Sequence, residues 1–269
     1  MPPRNNETGM TEGTAVITGA SEGIGYELTR IFAENGYDVV MVARSEDRMN
    51  EAAEELEDGF GVSAHVIKKD LSVPGSSEEV YEEAPDGTDV LVNNAGIGTC
   101  GFFHENDVGR EVDTVRLNAE TPTHLTRLFV EDMVGRDEGS ILNVSSMAAF
   151  QPGPTMAVYY ATKAYLLSFS EALSNELKGT GVSVTALCPG PTETGFIQKA
   201  GEGSSRINKG DKMGQRTVAE AGYRGLMKEK TVVVPGFKNR MLVRLTKVAP
   251  KSLVIRVARY LQEPTSGEA

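Results

Sequence analysis

The chain has no tryptophan, two cysteines and three histidines in 269 residues. Cys100 and Cys188 stand far apart, and His65, His104 and His124 are scattered without metal-ligand spacing. The expectation is therefore no metal site and no disulfide, with two reduced thiols in a cytoplasmic protein. Long apolar runs are also missing: none approaches the ~20 residues that a membrane span needs. The opening residues, MPPRNNETGMTEG, are polar and match neither a signal peptide nor a transit peptide. Positive charge is scarce as well. Lys and Arg number 27 against 38 Asp and Glu, a net charge of −11, which argues against nucleic acid as a partner. The deficit is uneven. Residues 231–269 hold seven basic residues against two acidic ones, +5, which leaves the first 230 residues at −16.

What is present is an alternation of short apolar runs with amphipathic stretches, the pattern of a parallel sheet covered by helices on both faces. The runs read as strands are 14–18, 39–43, 62–67, 90–93, 140–144, 182–187 and 231–234; they are β-branched and apolar, as strands buried on both faces are. Helical patterns lie between them at 24–34, 46–58, 76–83, 109–133, 158–178 and 218–227. With right-handed crossovers this predicts one α/β domain over 13–236, doubly wound, of about seven parallel strands. A flexible segment is expected at 1–12. The Gly-, Ser- and Lys-rich stretch 194–215 follows a strand end, where open α/β sheets bind ligands, and reads as a substrate lid. The basic apolar extension 237–269 carries two readings: a helix pair broken at Pro250 and packed on the sheet, or a surface for anionic lipid or an acidic carrier protein.

Two local patterns carry chemistry. The first strand runs into Thr18-Gly19-Ala20-Ser21-Glu22-Gly23-Ile24-Gly25 and then a helix. Glycines allow a tight turn and close approach of a pyrophosphate, and the helix N-terminus offers N–H donors and a positive dipole end. Tyr159 and Lys163 are four apart on a helical stretch, so the phenol and the ammonium share a face. A neighbouring cation stabilises a phenolate and suits it for general acid/base work. Tyr160, three residues before Lys163, is the less favoured partner.

Together with Asn93-Asn94-Ala95-Gly96, Asn143-Val-Ser-Ser146 and Pro189-Gly190, taken in order, these motifs resemble the short-chain dehydrogenase/reductase family over about 14–194. The resemblance implies a Rossmann-type fold and an NADP- or NAD-dependent oxidoreductase acting on a carbonyl or secondary alcohol. It implies Tyr159 as proton donor or acceptor, Ser146 (with Ser145 as the alternative) as the hydroxyl that polarises the substrate oxygen, and Lys163 as holder of the nicotinamide ribose. Asn118 matches the fourth member, which supports a water-linked proton relay. By the same resemblance Thr18, Gly19, Ser21, Gly23, Ile24 and Gly25 cradle the pyrophosphate, and Asp70 and Leu71 flank the adenine. Asn93, Ala95 and Gly96 lie near the adenine ribose and pyrophosphate, and Pro189, Gly190, Thr192 and Thr194 fix the carboxamide.

Charge separates the two cofactors. NAD sites place an acid at the end of the second strand, whereas this chain has Ala43-Arg44, and a guanidinium pairs with a 2′-phosphate. NADP is favoured over NAD, although Glu22 occupies a position where NADP-specific relatives often carry a basic residue. Phe150, Met156, Phe196 and Met213 suit a long apolar substrate such as a 3-oxoacyl thioester or a steroid-like ketone. The family's habits imply a homodimer or homotetramer through the helix of Tyr159. The alternative is a non-catalytic dinucleotide-binding sensor or scaffold; such proteins typically lose the tyrosine or the lysine.

Overall fold

The seven apolar runs become seven parallel strands in a computed structural model that describes residues 12–196, 200 and 212–262. They are β1 (Gly13–Thr18), β2 (Tyr37–Ala43), β3 (Ala64–Lys68), β4 (Val90–Asn93), β5 (Gly139–Val144), β6 (Val182–Leu187) and β7 (Val232–Val233). Their order across the sheet is β3-β2-β1-β4-β5-β6-β7. The chain thus winds outward from β1 in one direction and from β4 in the other, which is the Rossmann-like α/β arrangement. Between β1 and β4 the crossovers part, and a crevice opens at the carboxyl ends of the strands. The register sets Ile17 beside both Met41 and Val92.

Helices cover both faces. One layer is α1 (Gly23–Glu34), α2 (Glu46–Phe60) and α7 (Gln215–Leu226). It packs Leu28, Phe32, Met49 and Leu56 on the apolar strand side chains. Phe32 meets Tyr37 and Tyr223 edge-on, with ring centroids 5.3 and 5.2 Å apart. Opposite lie α3 (Ser76–Glu83), α4 (Val108–Val115), α5 (Thr121–Arg136) and α6 (Ala157–Glu176). There Leu125, Phe129 and Met133 pack on Val16, Leu91 and Ile141.

The expected helix over 109–133 is interrupted. α4 gives way to a wider turn at Arg116–Glu120 before α5 begins, and Thr121 N–H donates to the Arg116 carbonyl five residues back. Pro122 explains it: with no N–H to give the Asn118 carbonyl, it removes the ordinary four-residue bond at that point. A single helical turn, Met147–Phe150, follows β5. The basic stretch forms α8 (Phe237–Val248) and α9 (Lys251–Gln262), parted at Ala249-Pro250. α8 packs against the Met147–Phe150 turn. Of the described helices, none is long and apolar enough to cross a membrane. Apart from Glu12, the segment 1–12 lies outside the described residues, as do 197–199 and 201–211 of the expected lid.

Candidate functional site

At the carboxyl edge of the sheet lies a cleft of about 650 Å³, walled by the β1–α1 turn, the ends of β2, β4, β5 and β6, helix α6, and helices α8 and α9. Thr18, expected to face the cofactor, does not line the cleft but lies buried beneath its floor. The Thr18 hydroxyl donates to the Val92 carbonyl (3.2 Å) and accepts from the Asn94 and Ala95 amides (3.0 and 3.1 Å), which joins the ends of β1 and β4. The Asn94 amide donates to the carbonyls of Thr18 and Gly19 (2.9 and 3.2 Å). Gly25 is buried beneath this turn, where a Cβ would overlap the Gly19 carbonyl and the Asn94 amide. Gly19, Ser21, Gly23 and Ile24 are left facing the cleft at the start of α1. The hollow is lined by backbone at a helix N-terminus, a fit for the diphosphate of a dinucleotide.

Arg44, at the end of β2, lines the same cleft with its side chain 72% exposed, 3.6 Å from Asp70. Burial works against charge on Asp70, but the Ser72 hydroxyl and amide and the Arg44 guanidinium outweigh it and hold the carboxyl below its ordinary value. Leu71 lies beside it on the cleft wall. Glu22, the acid in the glycine turn, meets Arg48 of α2 at 3.3 Å. Arg48 carried no signal in the sequence; only the packing of α1 against α2 reveals it.

Helix α6 sets Tyr159 and Lys163 on one face. Lys163 Nζ donates to the Val144 carbonyl at 2.9 Å and lies 5.8 Å from the centre of the Tyr159 ring. Burial lowers the Lys163 pKa to about 8, with nearby Cys188 a smaller opposing influence. Burial pushes the Cys188 thiol up to about 12. The two serines at the end of β5 separate clearly. Both line the cleft, but Ser145 is buried and its hydroxyl donates to the Lys163 carbonyl at 2.8 Å, whereas Ser146 is more open and accepts from the Ala148 amide at 3.1 Å, which leaves its own hydroxyl proton to give.

Asn118 sits behind the cleft in the widened turn, 1% exposed. Its side-chain amide donates to the Ile97 carbonyl (2.8 Å) and Thr162 Oγ1 (3.1 Å), and its oxygen accepts from the Ile97 amide (2.9 Å). Thr162 in turn donates to the Tyr159 carbonyl. These bonds fix the strand end next to Gly96, where a Cβ would come within 3.1 Å of Asn118 Oδ1 and 3.4 Å of Lys163 Nζ.

Asn93 does not join this group. It is buried in the sheet, donating to Asn143 Oδ1 (2.9 Å) and Thr126 Oγ1 (3.1 Å), and it is Asn94, Ala95 and Gly96 that face the cleft. Asn93 is the last residue of β4 and points into the helix layer; Asn94 is the first that is free to turn.

Pro189, Gly190, Thr192 and Thr194 form the wall after β6. The cleft also has an apolar lining: Phe150, Met156 and Phe196 border it, and the Phe196 ring lies 5.2 Å from that of Tyr159. Met213 does not reach it. A backbone pairing with Pro191 and Glu193 turns Met213 onto the apolar layer beside α1 and α7. Two further contributions have no sequence motif. Arg110 of α4 lines the cleft and donates to the Gly98 carbonyl at 3.4 Å. From the chain's far end, α8 brings Leu242 and Val243, and α9 brings Leu261 and Gln262. Gln262 is 3% exposed; its amide nitrogen donates to the Tyr160 hydroxyl, and its oxygen accepts from Thr155 at 3.1 Å. The helix-pair reading of the basic stretch thus holds in outline, but the pair walls the cleft rather than lying on the sheet. Among the described residues there is no cluster that could hold a metal ion.

Comparison with known proteins agrees with this geometry. The short chain dehydrogenase family model matches residues 13–205. An uncharacterized oxidoreductase, DltE, of Bacillus subtilis (strain 168) is 37% identical over 197 residues, 71% of this chain and 76% of its own. The very-long-chain 3-oxoacyl-CoA reductase of Anas platyrhynchos is 33% identical over 184 residues, 65% of this chain and 58% of its own. Among solved structures, a short-chain dehydrogenase from Sphingobium yanoikuyae in complex with NADPH superposes with a TM-score of 0.79 at 28% identity, covering 88% of this chain and 96% of that one. With the family model spanning well over half of the chain and the same fold in the solved structures, the chain belongs to the short-chain dehydrogenase/reductase family of oxidoreductases.

Proposed function

We propose that this protein is an NADP(H)-dependent oxidoreductase that interconverts an apolar ketone and its secondary alcohol. The observation that carries the reading is the convergence of Tyr159, Lys163 and Ser146 on the cleft that also holds the glycine turn and Arg44. The nicotinamide, when bound, supplies the hydride for reduction or accepts it for oxidation. In reduction the Ser146 hydroxyl donates a hydrogen bond to the substrate oxygen, and the Tyr159 hydroxyl gives that oxygen its proton. Lys163 eases the charge left on the phenol and is positioned to bind ribose hydroxyls. Asn118 is a positioning residue. Its bonds to Ile97 and Thr162 hold the frame through which a proton relay would pass, and its own side chain is fully taken up.

For the cofactor, the exposed Arg44 offers a bidentate partner to a 2′-phosphate. Arg48 offsets the Glu22 carboxylate that would otherwise repel it. For the substrate, Phe150, Met156 and Phe196 favour an apolar chain or ring system, in keeping with a 3-oxoacyl or steroid-like ketone. Self-association as a homodimer or homotetramer is proposed through the outer side of α6, where Tyr165 is 44% exposed and stacks on Phe169.

Fluorescence titration of NADPH and NADH into the purified protein tests the reading. NADPH binds more tightly than NADH, and Arg44→Asp reverses that order. Tyr159→Phe keeps NADPH binding but loses ketone reduction by about 100–10,000-fold. Folded protein that binds neither nucleotide would overturn the proposal.

A further inference from the structure

The outward sides of α8 and α9 are apolar. On α8 the residues turned to the body are Asn239, Val243 and Thr246. The opposite stripe, at spacings of four and three, is Phe237, Met241, Leu245 and Val248, exposed by 69, 39, 57 and 81%. On α9, Val254, Ala258 and Gln262 are buried, while Leu253, Val257 and Tyr260 face outward at 51, 49 and 59%. A helix lying on a water-facing surface ordinarily turns its polar side outward. Flanking the two stripes are Arg240, Arg244, Lys251 and Arg256, all exposed and none paired with a carboxylate among the described residues. No acid occurs between Glu229 and Glu263, in a chain whose first 230 residues carry −16.

We infer that the α8–α9 face docks on an anionic lipid bilayer. Exposed apolar stripes flanked by arginine and lysine match the boundary between acyl chains and anionic headgroups, which a helix can occupy lying flat. The acidic body opposes any other orientation on such a surface. An acidic carrier protein would satisfy the cations but would leave the outward side chains of Phe237, Met241, Leu245, Val248, Leu253 and Val257 facing water. The same helices wall the cleft through Leu242, Val243 and Leu261, so docking sets this wall of the cleft against the lipid. The substrate is then an apolar carbonyl compound dissolved in the bilayer, a conclusion that rests on the oxidoreductase reading above.

The test is co-sedimentation of the full chain with vesicles of phosphatidylglycerol and phosphatidylcholine, against vesicles of phosphatidylcholine alone, without nucleotide. The chain sediments with the anionic vesicles and is released by added salt. Arg240→Glu/Arg244→Glu and, separately, Leu245→Ser/Val248→Ser each lower partitioning about tenfold or more. All four positions are exposed, so circular dichroism stays that of the parent. Both variants slow reduction of a long-chain ketone presented in anionic vesicles and leave a water-soluble ketone unaffected. Equal sedimentation of parent and variants overturns the proposal, as does retention on an immobilised acidic carrier protein without vesicle binding. NADPH binding, measured without vesicles, is a separate readout: its failure removes the oxidoreductase reading and leaves the docking surface standing.

Discussion

Lys163 holds a charge where the surroundings resist it, and this gives the residue a pH signature of its own. Its pKa is about 8 in the folded chain, against 10.5 for an ordinary lysine. Below pH 8 both folded and unfolded chains carry the proton, and the cost of burying it is constant. Between pH 8 and 10.5 the unfolded chain binds a proton that the folded chain has released, so stability rises with pH. Denaturant unfolding of the nucleotide-free protein should show the parent gaining on the order of 3 kcal/mol over Lys163→Met across that window. Parallel curves for the two proteins would place the ammonium in a wetter setting than the geometry indicates. Adjacent residues also show where reading from sequence ends at this scale. Ser145 and Ser146, like Asn93 and Asn94, differ by one position at a strand end, where the two-residue alternation fixes opposite faces but not the residue at which the strand stops. The resemblance favours Ser146 over Ser145, and in the structure the Ser145 hydroxyl is taken up by the Lys163 carbonyl. The Asn93 assignment came from the motif as a block, and its hydrogen bond to Asn143 places it inside the sheet.

Among the elements, the strands were legible because burial on both faces demands continuous β-branched runs, and β4 and β6 end where those runs end. The break at Arg116–Glu120 was less legible, since apolar periodicity continues across it and only Pro122 marks it. Helices α8 and α9 were legible as helices but not as cleft walls, because no local pattern encodes a contact made across more than a hundred residues. Gln262 makes two such contacts. Replacing it with leucine leaves the Tyr160 and Thr155 hydroxyls without their buried partner and should cost about 1–3 kcal/mol. Hydrogen exchange should then quicken over residues 254–262 while β1 and β4 keep their protection. Unchanged exchange along α9 would mean that Val254 and Ala258 alone hold the helix down.

At the scale of the whole molecule, a net charge of −11 sets like charges against one another across the surface. Several acids are already offset locally, as where Arg216 meets Glu27, Glu34 and Glu220 between α1 and α7. The remainder repel, and dissolved salt screens that repulsion. Raising sodium chloride from low to molar concentration should therefore raise Tm by about 2–4 °C for each kcal/mol of repulsion removed. A falling or flat Tm would show that local pairing already accounts for the acidic surface. Salt thus acts in opposite senses on this chain, strengthening the body and weakening the grip of its basic face on lipid. The bond from Gln262 to the Tyr160 hydroxyl also has a consequence in time. Its two residues are separated by 102 positions. At roughly 5–20 residues per second, a ribosome adds the second about 5–20 s after the first. The sheet and the glycine turn can be assembled well before the cleft has its outer wall, so a nascent or C-terminally clipped chain could hold nucleotide in a vessel still open on one side. Competence to enclose a substrate would wait for the last turn of α9.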